Sequence, residues 1–173
     1  SDCKVNQKAE STKGISPEIF DLTCTHIRAR VKEVLADTKI EYIGRKTKNQ
    51  RSAIVNGLGQ KELQHIYDYA DVYHCENIDK VSDELIEKHS ISEGHFDNIA
   101  EARYAIPSHW DIGKVYQRLI LDVAHATESN VIETLIVVYN SWITRKIDNY
   151  NSSMYYENPS YLFESYKAGT VLA

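Results

Sequence analysis

Cysteine, proline and glycine are all scarce in this chain: three, three and seven among 173 residues. Cys3, Cys24 and Cys75 form no Cys-x-x-Cys and match no zinc-ligand spacing, so no zinc motif is present. The glycines fall into no phosphate-binding Gly-x4-Gly-Lys-Ser/Thr pattern and no dinucleotide fingerprint. A Gly-x-Ser-x-Gly elbow and a His-Glu-x-x-His metal motif are missing as well. Long apolar runs are also lacking. The longest patch, Leu135 to Tyr139, is far short of the roughly 18 residues that a membrane-spanning helix needs. No repeat of solenoid length occurs. With 42% apolar and 26% charged residues, the chain is neither a disordered polymer nor a coiled-coil rod.

What is present is periodicity and uneven charge. The net charge of −5 hides a strong division. Ser1 to Lys61 carry 12 basic and 7 acidic residues, Glu62 to Glu101 carry 2 and 11, and the remainder carries 6 and 7. A basic first third is thus followed by an acidic middle, and such asymmetry concerns partners more than fold.

Residues 1–15 read as a flexible tail, and 16–173 as a single helical domain. Ser16-Pro17 is a helix start, and Phe20, Cys24, Ile27, Val31 and Val34 recur at helical steps to about Ala36. Ile40 to Ile43 and Ser52 to Val55 read as two short strands of a small hairpin within 39–55, with Arg45 to Arg51 as a basic loop between them. Helices are expected from about Gln60 to His74, Asp79 to His89, and Ser92 to just before Pro107. Ser108 caps a longer helix. Another runs from Val131 to about Ile147, and its broad apolar stripe marks it as the central core helix. A short helix, Ser160 to Lys167, ends the domain. The expectation is a mainly α bundle of six to seven helices.

Five groups of residues carry candidate chemistry. Arg118 and His125 lie seven residues apart, close to two helical turns, so both point the same way. An Arg with a His can stabilise a phosphorane and move protons in RNA cleavage. The spacing resembles the Arg-x4–6-His signature of HEPN-type ribonucleases, which are also helical. It departs from that signature at Leu119, where the family usually has a polar residue. The resemblance implies a metal-independent ribonuclease. Glu62/His65, Asp71/His74 and Asp122/His125 have the carboxylate-x-x-His spacing of di-iron bundles, but no complete ligand set is evident and no metal or cofactor is expected. Arg45, Lys46, Lys48 and Arg51, followed by Gly57-Leu58-Gly59, would suit an anion or a nucleic acid.

The acidic segment offers Asp79, Asp83, Glu84 and Glu87 on one helix, where like charges a turn apart are mutually destabilising. Such a surface would attract a basic protein by steering. Tyr155, Tyr156 and Tyr161, in a tyrosine-rich end, would add the rigid amphipathic contacts that interfaces favour. The reading is therefore a helical protein-binding module with an acidic face, of the immunity-protein, antitoxin or inhibitor kind. The ribonuclease is the alternative. A further alternative is a secreted or periplasmic factor stapled by a Cys3–Cys24 disulfide, whereas reduced thiols would fit the cytoplasm.

Overall fold

The computed structural model describes residue 32 and residues 34–173. The tail, the Ser16 helix start and the Cys3–Cys24 pair lie outside the described residues. Among these residues the fold is mainly helical and has no strand. Helix α1 covers 34–47. It is followed by α2 (Arg51–Asp68), α3 (Ala70–Tyr73), α4 (Ile78–Lys88), α5 (His109–Thr127), α6 (Val131–Tyr139), α7 (Trp142–Ile147) and α8 (Pro159–Ala168). A single 3-10 turn, Met154–Tyr156, precedes α8. No described helix is long and apolar enough to cross a membrane.

The segment that suggests a hairpin is helix, turn and helix. Ile40, Ile43 and Ala36 share a buried face, but Asp37, Thr38, Lys39 and Glu41 are buried too. Residues 35–41 are enclosed on every side, which makes α1, rather than the Val131–Ile147 region, the most buried helix described. Alternation of Ile and Glu here is not an inside–outside alternation, because Glu41 is inside. Helix α1 stops at Lys48, which adopts the left-handed conformation (φ 52°) that glycine usually supplies. The Asn49 N–H donates to the Gly44 carbonyl at 3.0 Å and closes the turn.

Helix α6 packs against α2 and α5, and α5 packs against α8. Two breaks interrupt expected continuity. Gly59 (φ 75°) kinks α2, a conformation open to glycine because it has no Cβ. At Asn140–Ser141 the Val131–Ile147 helix divides, because Ser141 Oγ and Thr144 Oγ1 both donate to the Val138 carbonyl. Residues 92–107 are irregular instead of helical. The Gly94 and Phe96 N–H groups donate to the Thr47 and Lys48 carbonyls, both at 2.8 Å. Asn151 then bridges the segment from outside: its Oδ1 accepts from Arg103 N–H and its Nδ2 donates to the Glu101 carbonyl.

Helix α5 starts where Ser108 predicts. Ser108 Oγ accepts from the Asp111 N–H at 3.1 Å, and the Asp111 carboxylate reaches back to the Ser108 N–H, completing a capping box. Ser108→Ala is expected to cost about 1 kcal/mol. In thermal denaturation this would lower the midpoint by about 2–4 °C. An unchanged midpoint would contradict the cap.

Candidate functional site

A polar network occupies the interior beside α1. Glu41 and Arg51 are 1% and 0% exposed. Arg51 sits in the first turn of α2, and its Nε and Nη2 donate to the two Glu41 oxygens at 2.7 and 3.0 Å. Arg45, one turn along α1, adds a donor at 2.6 Å, and the Tyr150 hydroxyl donates to the same oxygen. Burial opposes ionisation of Glu41, but the Arg51 and Arg45 charges outweigh it and hold the carboxyl at about 2. Gly44 makes room for this arrangement, since a Cβ there would collide with Arg51 Cδ.

From Arg51 the network continues outward. Its Nη2 donates to Asn98 Oδ1 at 2.9 Å, and Asn98 Nδ2 donates to the Asp148 carbonyl. The Asp148 carboxylate accepts from the Tyr116 hydroxyl at 2.7 Å. Tyr116 stacks on Tyr139 (centroids 4.2 Å apart), whose hydroxyl donates to Asp37. Burial, reinforced by the Glu41 charge, pushes Asp148 up to about 7. None of Glu41, Asn98 or Asp148 stands out in the sequence. Charged residues at helical spacing read as surface, and only their shared burial reveals the network.

The basic and acidic segments meet at the surface. Lys46 lies 2.6 Å from both Asp79 and Asp83 of α4, and the Tyr42 hydroxyl donates to Asp79 at 3.0 Å. Lys48 pairs with Glu93 at 3.1 Å. Arg45, Lys46, Lys48 and Arg51 therefore do not converge on one open site, and each faces a carboxylate of this chain. Glu84 pairs loosely with Lys80 at 3.9 Å, and Glu87 stays exposed. Even so, among the described residues the eleven carboxylates of Glu62–Glu101 meet four ammonium groups in ion pairs: Lys46, Lys48, Lys80 and Lys88. The segment keeps a large negative excess.

Beside these pairs runs an open groove of about 530 Å³. Tyr42, Ile99, Ile106 and His109 line it together with the carboxylates Asp79 and Asp97 and the cations Arg45 and Lys46. His109 meets Tyr42 edge-on, with centroids 5.3 Å apart. Burial, then the nearby Arg45 charge, lowers the His109 pKa. Around the groove, Tyr104, Ile106 and Trp110 are 71%, 47% and 39% exposed. Tyr155 reaches the same irregular segment from its other side, donating to the Ala105 carbonyl at 3.4 Å. Its ring meets exposed Tyr156 at 4.9 Å. Tyr161 is elsewhere, bonded to the Leu172 carbonyl. The structure thus brings Asp79 together with Ile106 at the groove, and Tyr155 to the next residue, Ala105. No sequence signal joins Tyr42, Asp97, Ile99, Ile106 and His109, because they belong to three different segments.

Arg118 and His125 are both exposed on α5. Asp122 stands between them, its pKa raised by partial burial against the lowering effect of His125. Glu62 does not turn to His65 but accepts from Lys88 and His89 at 2.5 and 2.8 Å. Among the described residues no group of three or more His, Cys, Asp or Glu side chains is placed to hold a metal ion. The chain matches no protein-family model, no curated protein and no solved structure.

Proposed function

We propose that this chain is a helical binding module that docks a basic partner along the groove between α4 and the 97–109 segment. The carrying observation is the negative excess of the Glu62–Glu101 segment beside that groove, whose apolar Tyr42, Ile99 and Ile106 are flanked by Asp79 and Asp97 as well as by Arg45 and Lys46, with Tyr104 and Trp110 exposed. Exposed aromatic and apolar groups next to charge are what interface cores and rims are made of. The negative excess of α4 and its neighbours would raise the association rate of a cationic protein. A nucleic-acid-binding enzyme, whose own site is basic, is the class of partner that such a face would block in the manner of an immunity protein or antitoxin.

The test uses the chain as bait against its native source, beside an Asp79→Asn/Asp97→Asn/Ile106→Asp variant. A specific partner should be retained by the parent, be released as salt rises, and bind the variant at least tenfold more weakly. Glu84→Lys with Glu87→Lys should lower the association rate further. Equal retention by parent and variant, or binding indifferent to salt, would overturn the reading. RNA cleavage by the parent that disappears in a folded His125→Ala variant would replace it with the ribonuclease.

A further inference from the structure

A second cleft, about 390 Å³ in volume, shares no lining residue with the groove. Gln50, the N-cap residue of α2, Ser52 of its first turn, Phe96, Asn140, Arg145 and Asp148 are among the residues that line it. A smaller cavity of about 230 Å³ adjoins it through Phe96, Arg145 and Asp148, and has Glu101 among its lining. We propose that this cleft binds a small planar organic acid, with the ligand carboxylate on Arg145, its ring against Phe96, and Asp148 beside the carboxylate as a hydrogen-bond donor.

Three observations support this. Arg145 is exposed at the cleft and forms no ion pair or hydrogen bond with any described residue, unlike Arg45 and Arg51. A free guanidinium in a cleft offers a fork that matches a carboxylate. Asp148 is 97% buried yet lines the same space, so a polar group waits at the cleft wall inside a rigid network. The charge balance then selects the ligand. Asp148 faces Glu41 and Arg45 from α1, Arg51 from α2, Tyr116 from α5 and Tyr139 from α6. Among the described residues that line this cleft Arg145 and Asp148 are the charged side chains, so protonation of Asp148 leaves one cation there, which a monoanion neutralises. The Gln50 Ncap makes no side-chain cap bond, so the positive end of α2 adds to the same preference. The volume suits a single-ring ligand.

Benzoate is the probe, with benzamidine as a cation of the same shape, titrated into the full chain and followed by NMR at pH 6 and pH 8. Benzoate should perturb Phe96, Asn140 and Arg145, and benzamidine should not. Affinity should fall about tenfold between pH 6 and pH 8, because only the protonated fraction of Asp148 is competent. Arg145→Gln should weaken benzoate at least tenfold without changing the fold, and Asp148→Asn should remove the pH dependence while keeping binding. Preference for benzamidine, indifference to Arg145→Gln, or no perturbation of the cleft by either probe would overturn the proposal.

Discussion

Replacing Arg51 by Met is expected to destabilise the fold by about 3–5 kcal/mol. The guanidinium is completely buried and holds three things at once: both Glu41 oxygens, Asn98 Oδ1 and the Asn49 carbonyl. Methionine fills much of the volume but leaves the Glu41 carboxylate with one guanidinium in place of two. A buried carboxylate short of a partner is costly, since removing one member of a buried pair leaves the full desolvation penalty of the other. Glu41→Gln should cost nearly as much, because an amide cannot neutralise Arg45 and Arg51 together. Changing both residues to apolar ones would not restore the parent, since Arg45 would lose its carboxylate and Asn98 Oδ1 its donor. Urea denaturation should show a lower midpoint with an unchanged slope. A loss below about 1 kcal/mol for Arg51→Met would show that the pair does not hold α1 to α2.

Asp148→Asn is expected to stabilise the protein above neutrality. In the folded state Asp148 titrates near 7, against an ordinary value of 3.8. The native state therefore binds this proton more tightly than the unfolded chain. Its stabilising contribution is complete below 3.8 and is lost as pH rises through 7. Glu41 behaves oppositely. Its folded value is about 2 against 4.5, so its contribution is present above 4.5 and lost as pH falls towards 2. Stability should thus peak at about pH 4–5, decline as pH rises to about 7 and level off above that. Asparagine keeps an acceptor for the Tyr116 hydroxyl and removes the charge. It should flatten the decline between about pH 4 and pH 7 and leave the variant more stable than the parent at pH 8 by on the order of 2 kcal/mol. Parallel curves for parent and variant between pH 5 and pH 8 would contradict this.

How much of this was legible beforehand depends on whether polarity and burial agree. They agree along the apolar face of α5 and at two helix starts. The apolar period of Ile112, Tyr116, Leu119 and Val123 is buried as expected, and Ser108 and Asn158 cap where local chemistry demands it. They disagree in α1. Asp37, Lys39 and Glu41 are buried polar residues, so a hydropathy reading breaks the helix at its most enclosed point and turns Ile40 to Ile43 into a strand. Gly44 looks like a strand end, but it lies inside the helix and gives Arg51 its space. The run Arg45 to Arg51 looks like a solvated loop because the carboxylates that neutralise it, Glu41, Asp79, Asp83 and Glu93, are either hidden or more than thirty residues away. Helical spacing in 92–107 is equally misleading. Backbone pairing with Thr47 and Lys48 and the amide of Asn151 win over propensity there, and both depend on tertiary structure. The groove is illegible for the same reason, while one of its walls, the acidic helix α4, can be read from charge alone.

The most direct test of the binding reading is amide hydrogen exchange of the full chain with and without the captured basic partner. The expected result is protection at 97–109, at the Tyr42–Lys46 end of α1 and at the start of α4, weakening with salt. Protection confined to the exposed face of α5 around Arg118 and His125, or no protection at the groove, would contradict it.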